Sequence, residues 1–114
     1  MQYLLLIYST ESVETGLDQG AIMAEYGTFT QGIVQNGNFK SADRLKPVST
    51  ATTVRVKDGK TLTTDGPFAE TREQLGGYYL IEAKDLDEAV GIAAKVPTAR
   101  YGSVEVRPVW AMNG

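Results

Sequence analysis

The residues best equipped for chemistry are concentrated between Asp65 and Tyr79, where acidic residues, an Arg, a Pro, several Gly and aromatic rings share fifteen positions. Asp65 is the leading catalytic candidate, because a carboxylate partly shielded by the neighbouring Phe68 can act as a general acid or base. Its alternative role is structural, since an Asp before Gly can bond its own backbone and shape a turn. The sequence is consistent with both roles.

Two other polar groups are candidates for binding a ligand. Glu70 and Arg72 can bind a polar ligand together, or they can form an exposed ion pair that contributes little to stability. Arg107 stands in an otherwise apolar segment and requires a partner if it is buried. Glu105, two positions earlier, can supply that partner, and so can a carboxylate of the 65–79 stretch.

The composition restricts the chemistry further, because the chain contains no His and no Cys. Zinc sites built from thiolate and imidazole are excluded, as are Ser-His and Cys-His nucleophiles. Acid–base chemistry would have to use Asp, Glu, Lys, Tyr or the chain amine, and a metal would be a hard ion bound by oxygens. We predict neither a metal nor a cofactor.

Length and charge predict one small domain. The 114 residues fit a single unit over 1–114, and the net charge is −3 with scattered basic residues. Direct nucleic-acid binding is therefore not expected, because it needs a basic surface. No apolar run approaches the ~20 residues of a membrane span, so no membrane association is expected. The lack of Cys is compatible with the cytoplasm, which is the predicted location.

The first part of the chain predicts a strand and a helix. Residues 2–8 are almost continuously apolar, as in a central strand covered on both faces, and 9–16 form a polar loop. Over 17–35 the apolar residues are spaced four, three and four apart, which predicts an amphipathic helix. Its stripe is Ile22, Tyr26, Phe29 and Ile33. Tyr26 can pack in the core or face a ligand.

The second part predicts short strands at 38–46, 51–57 and 77–83. Asp58-Gly59 signals a hairpin whose return strand covers 61–64. A second helix follows an Asp85 cap, and a last strand carries Val104, Val106 and Val109. The inner face of this helix is expected to be Leu86, Ala89, Val90, Ala93 and Ala94. Without the hairpin the order is βαββαβ, a ferredoxin-like α+β fold.

In such a fold the helices cover one face of the sheet and leave the other open. The residues expected on the open face are too apolar to meet water: Tyr8, Tyr78, Leu80, Val104 and Val106. We therefore expect a homodimer in which two sheets pack face to face, with a small-molecule pocket between them. The candidate ligand-binding residues are Tyr8, Tyr26, Asp65, Phe68, Glu70, Tyr78 and Arg107. We also expect Gly66-Pro67-Phe68 to be a rigid anchor with a buried ring, which turns Asp65 toward the pocket.

Several segments resemble a known family. The run Thr64-Asp65-Gly66-Pro67-Phe68-Ala69-Glu70-Thr71-Arg72-Glu73-Gln74-Leu75-Gly76-Gly77-Tyr78-Tyr79 looks like the signature of the DGPF proteins, a branch of the YCII-related family. The matching segments elsewhere are residues 3–8, 51–56 and 102–109. The resemblance implies a ferredoxin-like domain of the dimeric α/β-barrel type. Other family members resemble enzymes that pair a His with an Asp, and this chain lacks the His. DGPF proteins also occur beside extracytoplasmic-function sigma factors, which implies a regulatory setting.

Three functions follow as hypotheses. The first is a small-molecule-binding or sensory domain that acts beside a transcription regulator. The second is a low-activity enzyme that uses Asp65 as a general base on a small acidic or carbonyl compound. The third is a structural module whose dimer face is its whole purpose. The lack of His and Cys favours the first over the second. The Gly, Pro and charged residues of the 65–79 stretch disfavour the third.

Overall fold

A four-stranded antiparallel sheet is the centre of the computed structural model, which describes residues 1–111. The strands are β1 (Gln2–Ser9), β2 (Phe39–Arg44), β3 (Thr52–Lys57), β4 (Lys60–Asp65), β5 (Gln74–Glu82) and β6 (Ser103–Pro108). The helices are α1 (Glu11–Thr15), α2 (Gln19–Gln35) and α3 (Leu86–Ala93), and short 3₁₀ turns occupy Val48–Thr50 and Pro97–Arg100. The sheet order is β2-β5-β1-β6, while β3 and β4 pair only with each other. These elements confirm a mixed α+β architecture with antiparallel sheets.

β1 is one of the two inner strands of the sheet, as its apolar run predicts. It pairs with β5 on one side and with β6 on the other. Tyr3, Leu5 and Ile7 point to one face and are buried, because this face carries the helices. Leu4 and Leu6 point to the other face and are only partly buried within residues 1–111. The expectation of cover on both faces thus holds for one face of the single chain.

α2 confirms the predicted amphipathic helix. Asp18 caps it, since its Oδ1 accepts a hydrogen bond from the Ala21 backbone N–H at 3.1 Å. Phe29 and Ile33 are buried, and the Phe29 ring meets Tyr79 edge-on with a centroid distance of 5.1 Å. This contact fixes the helix on the sheet, because an aromatic edge-to-face pair adds to the burial of apolar area.

The predicted loop over 9–16 is wrong in part, because it contains the short helix α1. Five residues are too few for a helix to be stable by its own propensity. Side-chain hydrogen bonds stabilise α1 instead. The Glu11 backbone N–H donates to Gln74 Oε1 of β5 at 3.1 Å, and Ser9 Oγ donates to Glu14 Oε2 at 2.7 Å.

α3 begins as predicted but faces the core differently. Its cap is reciprocal: the Glu88 N–H donates to Asp85 Oδ1 at 2.9 Å, and Glu88 Oε1 accepts from the Lys84 N–H at 3.2 Å. The predicted inner-face residues Leu86, Val90 and Ala94 are instead exposed. The buried residues are Ala89, Ile92 and Ala93, and Val96 follows them. Ala89 and Ala93 are buried as predicted, so the buried stripe is rotated by only about a fifth of a turn from the predicted one, at ~100° per residue. The small Ala side chains bring the helix close to the sheet.

The Asp58-Gly59 turn confirms the predicted hairpin. Its two residues have φ of 52° and 75°, the left-handed values that a two-residue hairpin turn requires. Thr52 pairs with Asp65 at the base, and Lys57 pairs with Lys60 beside the turn. Every residue of β4 is exposed. The hairpin is therefore an arm with few contacts to the main sheet.

Candidate functional site

The candidate site is the sheet face opposite the helices, which we call the open sheet face. Cross-strand register places its residues, because paired residues share a face. Asp43 pairs with Tyr78, Tyr78 with Leu6, and Leu6 with Glu105, so one row crosses all four strands. The neighbouring positions of the face are Ser41, Leu80, Leu4, Arg107 and Tyr8. An apolar centre is thus flanked by acidic groups and one Arg.

Tyr78 and Asp43 form the first polar pair of this face. The Tyr78 hydroxyl donates to Asp43 Oδ2 at 2.8 Å. This hydrogen bond, together with the negative charge of the carboxylate, raises the pKa of Tyr78. The phenol therefore stays protonated at neutral pH and remains a donor held in one orientation. Asp43 was not among the predicted site residues; its only sequence signal is a position in a strand next to the tyrosine strand.

Tyr8, Glu105 and Arg107 form the second polar group. The Tyr8 hydroxyl donates to Glu105 Oε1 at 3.4 Å, and Arg107 Nε donates to Glu105 Oε2 at 2.9 Å. The predicted Glu105 partner of Arg107 is confirmed, and it raises the pKa of Arg107. Arg107 is largely exposed in the single chain, so this ion pair contributes little to stability. Arg107 can still bind a ligand, because a guanidinium has five N–H donors and Glu105 accepts from two of them.

Val104 and Val106 do not belong to the open sheet face, contrary to expectation. They pair with Ile7 and Leu5, whose side chains point to the helices, and they pack against the core. The predicted strand was correct, but its alternation was assigned to the wrong face. The residues that β6 presents on the open sheet face are polar.

Tyr26 also lies on the helix side. Its hydroxyl is 2.5 Å from Thr98 Oγ1, and its ring stacks on Tyr79 with centroids 6.4 Å apart. Burial raises the pKa of Tyr26 to about 12. The structure therefore supports core packing for Tyr26 rather than a ligand-facing role. Tyr8 and Tyr78 lie on the opposite face of the sheet.

The start of the 65–79 stretch extends the arm rather than covering a cavity of the single chain. The Gly66 N–H donates to the Ala51 carbonyl at 2.7 Å, and Thr53 Oγ1 donates to the Gly66 carbonyl at 2.9 Å. Gly66 has φ of 100°, which favours glycine. The expectation of a buried ring is wrong, since Phe68 is 79% exposed. Polar and backbone hydrogen bonds hold this turn instead of an aromatic anchor.

Asp65 and Glu70 are exposed in the single chain. Within residues 1–111 neither side chain forms a hydrogen bond or an ion pair, so the Asx-turn alternative for Asp65 has no support there. The structure brings together Tyr8, Tyr78 and Arg107. Within residues 1–111 no hydrogen bond or ion pair joins them to Asp65, Phe68 or Glu70.

Gln74 is a residue that sequence reasoning missed. Its Nε2 donates to the Thr71 carbonyl at 2.8 Å, while its Oε1 accepts from the Glu11 N–H at 3.1 Å. Thr10 Oγ1 adds a bond of 3.3 Å to the Arg72 carbonyl. The end of the stretch is therefore tied to the start of α1. A half-buried amide with this role leaves no periodic signal in a sequence.

A groove of about 570 Å³ on the other side of the molecule separates α2 from the α3 end. Its floor is Phe29, Ile33, Ile92 and Val96. None of the predicted site residues lines it. Among residues 1–111 no group of three or more acidic side chains is arranged to hold a metal ion. No helix in that range has the length and apolar character needed to cross a membrane.

Comparison with known proteins identifies one family over nearly the whole chain. The model of the YCII-related domain matches residues 1–113. An uncharacterised protein of Rhizobium meliloti (strain 1021) is 39% identical over 114 residues, covering 96% of this chain and 92% of the relative. This similarity extends over the sheet, the helices and the arm together.

Proposed function

Because the chain belongs to the YCII-related family, we propose that it is a small-molecule-binding or sensory domain whose site is the open sheet face. The observation that carries the proposal is the row Asp43–Tyr78–Leu6–Glu105. It combines fixed hydrogen-bond donors and acceptors with an apolar surface, which is the usual composition of a ligand site.

We propose a ferredoxin-like domain of the DGPF branch as the more specific fold. When the arm and the five-residue α1 are set aside, the remaining order is strand, helix, strand, strand, helix, strand, and β1 lies between the strands β5 and β6. This connectivity supports the split βαβ arrangement. The Asp65-Gly66-Pro67-Phe68 run supports the branch.

The active form in this proposal is a homodimer with two open sheet faces opposed. Leu4, Leu6 and Leu80 form an apolar strip that would otherwise meet water. Two sheets pack about 10 Å apart, and side chains of both fill the space. Where tyrosines and carboxylates replace leucines, the two faces leave polar room for a ligand. In this dimer Asp65 of the motif would face the shared space.

The charges indicate which ligand fits. Tyr78 and Tyr8 already donate to carboxylates, so their oxygens are oriented acceptors with a fixed proton. The donors of Arg107 that Glu105 does not occupy suit a carboxylate or carbonyl oxygen. A compact acidic or carbonyl compound that also carries an O–H or N–H donor satisfies both sets of groups. The cytoplasmic location and the link to sigma-factor regulation stay predictions.

Neither alternative function gains support from a specific observation. A general base at Asp65 would need shielding, and its carboxylate is exposed in the single chain. A purely structural dimer face would not need two oriented phenol–carboxylate pairs. Binding without catalysis is therefore the better-supported role.

The test is native mass spectrometry of the purified protein for a retained small molecule, followed by titration of that molecule. Tyr78→Phe should lower its affinity by up to about tenfold, because the ligand loses a hydrogen bond to the phenol oxygen that is worth roughly 0.5–1.5 kcal/mol. Tyr26→Phe is the matched control, since it removes the same hydroxyl on the helix side. Equal losses in both variants, or none in Tyr78→Phe, would contradict the proposed site.

A further inference from the structure

The segment 67–70, between the arm and β5, is fixed at its two ends and not between them. On the arm side the Gly66 N–H donates to the Ala51 carbonyl at 2.7 Å. On the other side the Thr71 carbonyl accepts from Gln74 Nε2 at 2.8 Å. In the described part of the chain the four residues between these ends form no hydrogen bond or ion pair. This segment, which we call the strap, can therefore move without breaking the contacts of its neighbours.

The end of the strap that leads to β5 lies on the open sheet face. Ser103 pairs with Tyr8, so their side chains point to that face together. Ser103 Oγ donates to Glu73 Oε1 at 2.7 Å. Glu73 directly precedes β5, Ser103 begins β6, and β1 lies between these two strands. The Glu73 side chain therefore crosses β1 beside Tyr8, and we call the Glu73–Ser103 hydrogen bond the latch.

The other end of the strap lies at the same end of the sheet, because Glu11 of α1 connects the two. The Glu11 N–H donates to Gln74 Oε1 at 3.1 Å, and Glu11 Oε2 accepts from the Val48 N–H at 2.9 Å. Val48 is followed by a 3₁₀ turn and then by Ala51, the partner of Gly66. Such a turn advances only ~2 Å per residue, so Gly66 stays close to α1.

The length of the chain allows Phe68 to reach the open sheet face while the latch stays in place. Phe68 is five residues before Glu73, a span of at most ~18 Å at ~3.6 Å per residue. Glu105 is two residues beyond Ser103 on the same face, ~7 Å away at ~3.4 Å per residue. The ring can therefore cover Tyr8 and Glu105. Closure would bury a side chain that is 79% exposed, which is favourable because its surface is apolar.

We propose that the strap closes over a ligand at the Tyr8 end of the open sheet face, with Phe68 as its apolar cover and the latch as its fixed end. Phe68 then forms an apolar wall opposite the polar groups of Tyr8 and Arg107. The ligand class that fits is an acidic or carbonyl compound with an O–H or N–H donor and a flat aromatic or aliphatic part. This inference rests on the proposed ligand site and adds to it a residue that selects the ligand.

Disulfide trapping tests the reach of the strap. The chain has no Cys, so every cross-link comes from an introduced pair. A disulfide needs Cα atoms within about 7 Å of each other, so it reports a direct approach. Phe68→Cys/Glu105→Cys, oxidised with copper phenanthroline in dilute solution, should form an intramolecular disulfide about tenfold faster than Phe68→Cys/Lys95→Cys. Lys95 is the matched control because it is exposed on the helix side.

Limited proteolysis tests the latch, because Arg72 provides a trypsin site next to Glu73. Cleavage requires local opening of the segment. Ser103→Ala removes the latch and should speed cleavage after Arg72 by about fivefold, while cleavage of the arm after Lys57 serves as the internal reference. Ser41→Ala is the matched control, since it removes a hydroxyl from the same face on β2 and should leave the rate unchanged.

The outcomes separate the strap from the ligand site. Equal cross-linking rates in the two Cys pairs would overturn the closure. A covalent dimer in place of the intramolecular disulfide would also overturn it, because Phe68 would then meet another copy of the chain. Unchanged cleavage after Arg72 in Ser103→Ala would overturn the latch. None of these results affects the ligand site, which is tested by the affinity of Tyr78→Phe. If the strap closes but Tyr78→Phe binds normally, the ligand site is wrong and so is the covering role of Phe68.

Discussion

The contact between β6 and the end of β1 can be tested with one glycine. A Cβ added at Gly102 would lie 2.2 Å from the Tyr8 carbonyl oxygen, 3.0 Å from Thr98 Cγ2 and 3.1 Å from Ser9 Cβ. The first atom is backbone, so β1 itself must move. Because Ser9 and Thr98 are buried, the displacement cannot be absorbed by solvent-exposed side chains. Forcing atoms into a packed region costs typically 1–3 kcal/mol, and this contact is among the tighter cases.

Gly102→Ala should therefore lower the free energy of unfolding by about 3 kcal/mol, measured by urea denaturation with unchanged slope. Gly91→Ala is the matched control, since a Cβ there meets nothing within 4 Å and the residue lies in α3. The control should raise stability by up to about 1 kcal/mol, because Ala is the better helix former. A loss below about 0.5 kcal/mol in Gly102→Ala would contradict the packing of β6 on β1 described above.

Three further predictions follow from burial and hydrogen bonding. Phe68→Ala should change the unfolding free energy of the monomer by less than about 0.5 kcal/mol, measured by thermal melting. Leu5→Ala, at a residue with 0% exposure, should cost about 2–5 kcal/mol in the same experiment. Comparable losses in the two variants would mean that Phe68 is buried. The raised pKa of Tyr26, about 12, gives stability that is complete below pH 10 and is lost as the pH rises through 12. Tyr26→Phe should therefore reduce the fall in unfolding free energy between pH 10 and pH 12 by on the order of 1 kcal/mol after screening, and parallel pH curves for the two proteins would refute this. Asp65→Asn should leave the melting temperature unchanged and weaken binding of a retained ligand, measured by calorimetry, while a large loss of stability would reveal a turn role.

The sequence predicted elements whose signal is local. The Asp58-Gly59 turn and the Asp85 cap are visible because each depends on a few neighbouring residues. The α1 helix was missed because Gln74, distant in sequence, supplies its N-terminal hydrogen bond.

Face assignment was the other source of error. The valines of β6 could be placed only through register with β1, which a single sequence does not specify. The same limit hid Asp43, whose role depends on pairing with Tyr78. Phe68 shows a further limit, because hydrophobicity alone does not determine whether a loop ring is covered by its own chain. Site residues on different strands were therefore predicted individually, while their grouping needed the sheet.

The opposition of two open sheet faces is the central claim, and one distance tests it most directly. The chain has no Cys, so Lys95→Cys on the exposed helix side provides a single position for a spin label. One chain measures 18 Å between its outermost Cα atoms along its shortest axis, and in a sheet-to-sheet dimer the helices lie on the outside. Pulsed electron–electron double resonance should then give a separation of about 30 Å or more between the two spin labels, given sheets ~10 Å apart. A separation well below 20 Å would place the helix sides together, and the absence of any dipolar coupling at concentrations of tens of micromolar would mean that the dimer does not form.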